Sequence, residues 1–171
     1  MTEWVLDENV LIVANDISRE LAGRGLVCPQ ANDACRVAAL TLLQQCQEGV
    51  RIVIDDLGEV LSNYRRRMAG SGQPGSGDAL FRYLSDNQYN SDRVRRRELT
   101  PNADRGYEEF PEENGLTGFD PADRIYVALA AGQAGTCIAN CVDSDYRNVA
   151  DALIQARVRV RELCPDCLTS P

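Results

Sequence analysis

Three short apolar runs, each closed by a carboxylate, constrain this chain more than any other feature. "EWVL" runs into Asp7, the β-branched "VRIVI" into Asp55 and Asp56, and "TCIANCV" into Asp143 and Asp145. Runs of this length and composition suit buried strands. The segments between them carry helical signals instead. In "ACRVAALTLLQQCQEG", Val37, Leu40, Leu43 and Cys46 recur at helical spacing, Asn32 or Asp33 can cap the start, and Gly49 ends it. "NVLIVAND", "LGEVLSNYRRRM", "ALFRYLSDNQY" behind Ser76 or Asp78, and "RNVADALIQA" also read as helices. In "FDPADRIYVALAAGQAG", Asp120 is the expected cap and Pro121 the first helical residue. Strands separated by helices predict an α/β layer with a mainly parallel sheet.

The signal weakens in the middle of the chain. "AGSGQPGSG" reads as a flexible break, and the stretch from Asn90 to Gly118 as a long irregular insertion, so linker and insertion together cover about 70–118. "RVRVREL" alternates like a partly exposed strand. With 171 residues, the expectation is a single domain over 1–171. The first residues carry acids and no basic leader, and no apolar run approaches the ~20 residues of a membrane span, so the expected location is cytoplasmic, with no membrane partner.

Seven cysteines and no histidine limit the soft-metal options. "CPDC", with Cys164 and Cys167, has metal or redox spacing, yet a structural zinc needs four ligands. Cys28 and Cys35 are the candidates to complete such a set, at a seven-residue spacing that matches no common finger. The odd number favours free thiols as the default.

The net charge of −8 argues against indiscriminate nucleic-acid binding. All 18 basic residues are arginines, however, and they cluster at Arg65, Arg66 and Arg67, at Arg93 and Arg95 to Arg97, and at Arg157, Arg159 and Arg161. Taken singly, each cluster is most simply a solvated face. Beside an acidic site, the same guanidinium forks would hold phosphates.

In an open parallel sheet, ligands bind beyond the carboxyl ends of the strands. Asp7, the segment from Asp55 to Glu59, and Asp143 with Asp145 would share that rim, joined by Asp123 from the helix before the third strand. Carboxylates brought together raise one another's pKa, and a divalent cation reverses that penalty. Oxygen ligands without histidine or thiolate suit Mg²⁺ or Mn²⁺, which polarise phosphoryl oxygens and can act in pairs about 4 Å apart. Each acid also has an ordinary structural account. Asp7 and Asn9 can start a helix, Asp55 or Asp56 can cap the helix containing Glu59, Asp120 and Asp123 form a capping-type pair, and Asp143 and Asp145 suit a turn.

Taken in order, "VLDENVLI", "IVIDDLGEVL", "FDPADRIYVALA" and "CVDSDYRNV" resemble the motifs of PIN-domain nucleases. The resemblance runs from about residue 3 to 163, apart from the segment around 70–118. It implies a three-layer α/β/α sandwich with a central mainly parallel sheet, and a metal-dependent endoribonuclease that uses Mg²⁺ or Mn²⁺. It also implies Asp7, Glu59, Asp123 and Asp143 as catalytic and metal-binding residues, Asp145 as a further ligand, and Asn9 as an orienting neighbour of Asp7. Arg65, Arg66, Arg67, Arg95 and Arg96 would hold the RNA backbone. The partners implied are an RNA substrate, a regulatory protein of the antitoxin kind and a second copy of the chain. Cys141 departs from the family pattern, standing where a threonine or serine is common. A PIN-like module that binds RNA or protein without cutting is the rival reading. Phosphotransfer on a similar sheet is disfavoured because "DEN" lacks the second aspartate of a phosphatase pair and the chain has no lysine.

Overall fold

A computed structural model describes residues 2–167. In chain order, the elements are β1 (Glu3–Leu6), α1 (Glu8–Leu21), α2 (Asp33–Glu48), β2 (Ile52–Asp55), α3 (Glu59–Arg65), α4 (Ser76–Asn87), β3 (Val94–Arg97), a hairpin of β4 (Pro101–Asn102) and β5 (Gly106–Tyr107), a 3-10 turn (Asn114–Leu116), α5 (Arg124–Ala130), β6 (Thr136–Asn140), α6 (Asp145–Asn148), α7 (Ala150–Gln155) and β7 (Val160–Glu162).

Five strands form one sheet in the order β3-β2-β1-β6-β7, and every neighbouring pair is parallel. The architecture is a three-layer α/β/α sandwich. Helices α1, α2 and α4 pack on one another, and α5 packs against β1, β2 and β6. β1, β2 and β6 are buried at every position, as expected of strands covered on both faces. The strand order reverses direction between β1 and β6, so the crevice at the switch point opens beyond Leu6 and Asn140.

The caps explain where the helices start. Asp7 Oδ1 accepts the Asn9 N–H at 2.9 Å and opens α1, and Asn32 does the same for α2 through the Cys35 N–H. Asp55 holds the N–H groups of Glu59 and Val60, which fixes α3 to the end of β2. Tyr64 of α3 then reaches back to the Leu6 carbonyl at 2.5 Å.

Several expectations need correction. The stretch read as an irregular insertion contains β3, the edge strand beside β2. Its sequence "VRRR" has a single apolar residue, because polar contacts hold it in place. Arg97 Nη1 donates to the carbonyls of Ala128, Leu129 and Ala131 at the end of α5. The glycines of "AGSGQPGSG" serve close packing as well as turning. A Cβ at Gly77 would collide with the Leu11 carbonyl, and one at Gly75 with the Asn15 side chain. Asp78, buried beside them, accepts from Asn15, Ala69 and Gly75 and so ties this segment to α1.

Asp120 does not cap α5 either. Its Oδ1 accepts the Ala122 N–H, a turn spans the next residues, and the helix begins only after Asp123. The expectation of separate thiols needs revision for Cys35 and Cys164, whose sulfurs are in direct contact. Among the described residues, no helix is long and apolar enough to cross a membrane.

Candidate metal centre

Asp7 follows β1 and is 2% exposed. Asp143 follows β6, and Asp123 stands at the start of α5. Carboxylate oxygens from these three lie within 4.8 Å of one another, so strand-end acids 136 positions apart in sequence meet at the switch point (143 − 7). A second group, Asp120, Asp123 and Asp145, shares Asp123 and lies nearer to solvent.

Asp7 and Asp143 are held in place by hydrogen bonds. Asp7 Oδ1 takes the Asn9 N–H, and Oδ2 takes the Tyr146 hydroxyl at 2.9 Å. Each oxygen keeps a lone pair after these bonds. Asp143 Oδ1 accepts the Asp145 N–H at 2.9 Å, which orders the turn into α6. Asn140 organises the floor below. Its amide nitrogen donates to the Asp143 carbonyl and to Glu162 Oε2, while its oxygen accepts from Asn9 Nδ2 at 2.8 Å.

The electrostatics follow from burial and proximity. Burial, then the charge of Asp123, pushes Asp7 well above the usual carboxylate range, and the Asn9 N–H and Tyr146 hydroxyl only partly oppose this. Burial, then Asp143, raises Asp123 to about 7, with smaller contributions from Asp120, Glu8 and Asp145. Asp143 is also raised, chiefly by burial. Oxygen-only donors, mutual repulsion and a partly enclosed position are the conditions under which a hard divalent cation gains most. The residues therefore fit a hard divalent cation.

The remaining expected site residues divide. Asp145 belongs to the outer group. Asn9 acts on Asp7 through its backbone N–H, while its side chain links α1 to the end of β6 by accepting the Cys141 N–H and donating to Asn140. That bond engages the backbone at Cys141. Glu59 belongs to neither acid group. Its Oε2 accepts the Tyr107 hydroxyl at 2.5 Å, tying α3 to the β4–β5 hairpin.

Arg65, Arg66 and Arg67 are exposed on and just after α3, and Arg67 Nε lies 3.7 Å from Glu8 Oε1, which brings this cluster to the acidic rim. Arg96 is exposed, donates to the Asp56 carbonyl and stacks on Tyr89 at 4.8 Å. Arg95 is a correction. It sits near the amino ends of the strands, with Nε 2.9 Å from Glu3 and its other nitrogens on Gln133 and Thr136, so it locks the far end of the sheet instead of facing the acids.

Sequence patterns do not mark Asn140 and Glu162 as neighbours of the site. Asn140 carries a usable signal even so: it is the one amide inside a strand-like run, and a buried amide needs partners. No family model, curated protein or solved structure matches the chain.

Proposed function

We propose that the protein is a metal-dependent endoribonuclease of the PIN type. The observation that carries this reading is the convergence of Asp7, Asp123 and Asp143 within 4.8 Å at the switch point of a fully parallel sheet. Resemblance of the four acidic motifs to those of PIN nucleases supports RNA as the substrate class. A Mg²⁺ or Mn²⁺ ion held there supplies charge neutralisation at a scissile phosphate and Lewis-acid activation of water.

The chain's own residues do the rest. Asp7 is the central ligand, its two oxygens aimed by the Asn9 N–H and the Tyr146 hydroxyl. Asp123 and Asp143 complete the inner set, while Asp145 and Asp120 stand ready for a second ion or its waters. Arg65, Arg66 and Arg67 offer exposed guanidinium groups next to the rim for the phosphates that flank the cut. Glu59 supports the edge of the site through Tyr107.

The test is cleavage of single-stranded and structured RNA by purified protein with Mn²⁺, with an EDTA control and Asp7→Asn. Activity that needs the metal and falls a hundredfold or so in the variant is expected, the scale seen when a charge-stabilising catalytic group is lost. RNA that is bound but left uncut by the metal-loaded wild type would mean a binding module instead.

A further inference from the structure

The cysteines that the acidic site leaves aside come together elsewhere. Cys35, in the first turn of α2, is in sulfur contact with Cys164, and its Sγ lies 3.2 Å from Cys167 Sγ. The two halves of this contact are 129 residues apart in sequence. Cys28 stands seven residues before Cys35, in the loop that leads into α2. It is 7% exposed, and its N–H is held by the buried Asp16 Oδ2 at 2.8 Å.

We infer that Cys28, Cys35, Cys164 and Cys167 form a tetrathiolate site for a single zinc-class ion. A disulfide between Cys35 and Cys164 uses two sulfurs and leaves a third beside the same atom, while Cys28 is buried in the loop that precedes Cys35. One tetrahedral ion uses all four. Sulfurs bound at ~2.3 Å stand ~3.8 Å from one another, so the Cys35 to Cys167 separation is already close to what such a site requires. The scaffold also suits it. "CPDC" folds as a tight turn in which the Cys167 N–H donates to the Cys164 carbonyl at 3.1 Å, placing the two cysteines at the first and last positions of the turn. Cys35 lies at the positive end of the 16-residue α2, which favours its thiolate. Arg147 donates to the Pro165 carbonyl within the turn, bringing a positive charge to an anionic centre.

The ion would act structurally. β7 is a three-residue edge strand paired only with β6. A metal bridging the "CPDC" turn to the loop before α2 would lock β7 in the sheet. This site takes a soft-ligand ion and is independent of the acidic one, which takes a hard ion.

The test is metal analysis of the full chain purified without chelator, in parallel with Asp7→Asn, Cys35→Ser and Cys167→Ser. One zinc per chain in the wild type and in Asp7→Asn, lost or weakened at least tenfold in both cysteine variants, is the expected result. Cys167→Ser is the safer variant, because Cys167 is half-buried at a turn and outside the Cys35–Cys164 pair. Cobalt exchanged into the wild type should show thiolate charge-transfer absorption typical of tetrahedral sulfur coordination. Metal-free protein with a Cys35–Cys164 disulfide mapped by mass spectrometry overturns the inference, as does zinc retained undiminished by Cys167→Ser.

Discussion

Tyr146 donates its hydroxyl hydrogen to Asp7 Oδ2 at 2.9 Å, joining α6 to the end of β1 across 139 residues of sequence. The ring itself is fully buried and packs edge-on against Phe119 with centroids 5.3 Å apart. Tyr146→Phe therefore removes a hydrogen bond while keeping the packing. With one of its two stabilising donors gone, Asp7 rises further and holds a cation less well. Partners that orient a metal ligand are typically worth 10- to 100-fold in affinity. A drop of about tenfold in Mn²⁺ affinity by calorimetry is expected, with a melting temperature close to wild type. Unchanged affinity would remove Tyr146 from the site.

The pH dependence has a definite sign. Asp123 is raised to about 7 from its ordinary 3.8, so between these values the folded chain keeps a proton that the unfolded chain releases. Stability of the metal-free protein therefore falls as pH rises from about 4 to about 7, opposite to the trend for a salt-bridged carboxylate. Asp7 and Asp143, also raised, act in the same direction. Chelated protein should melt at a lower temperature at about pH 8 than at about pH 5, and Asp123→Asn should shrink that difference. Mn²⁺ affinity should climb as pH rises through about 7, because cation and proton compete for Asp123.

Glu59 separates the resemblance from the geometry. Its place in the motif order would make it a ligand by resemblance alone, whereas its carboxylate lies outside both acid groups and accepts the Tyr107 hydroxyl at 2.5 Å. Glu59→Gln should thus lower RNA cleavage by less than about tenfold, and Asp7→Asn by a hundredfold or so. Equal losses in steady-state kinetics would place Glu59 in the inner set when metal is bound.

What is legible in the sequence, and what is not, follows from how each part is held. β1, β2 and β6 are central strands buried on both faces, so their sequences are apolar runs, and the acids that follow them mark the carboxyl rim. β3 escapes such a reading because an edge strand made of "VRRR" is fixed by arginine contacts, which leave no apolar pattern. Arg95 and Arg96 adjoin in sequence, yet one binds Glu3 and the other the Asp56 carbonyl, since neighbouring side chains on a strand point opposite ways. Asp7, Asp123 and Asp143 can be named from motif order. Asn140, which ties Asn9, Asp143 and Glu162 together, depends on contacts that no local pattern encodes.

Gly77 tests the reading of the glycine-rich break. It sits in the first turn of α4, where that helix crosses α1 so closely that a Cβ would collide with the Leu11 carbonyl. Helix propensity alone favours alanine over glycine by up to about 1 kcal/mol, so in a flexible linker or an open helix face Gly77→Ala would be neutral or stabilising. Here the backbone of α1 is the obstacle and cannot rotate away, so overpacking decides the sign, at a cost of about 1–3 kcal/mol. The shift would also strain the Asn15 and Asp78 bonds that hold the segment against α1. A Cβ at Gly70 would meet nothing within 4 Å, so that position serves as the control. Urea unfolding should show Gly77→Ala destabilised and Gly70→Ala close to wild type. Equal stabilities would mean that the segment moves aside freely, as its composition alone suggests.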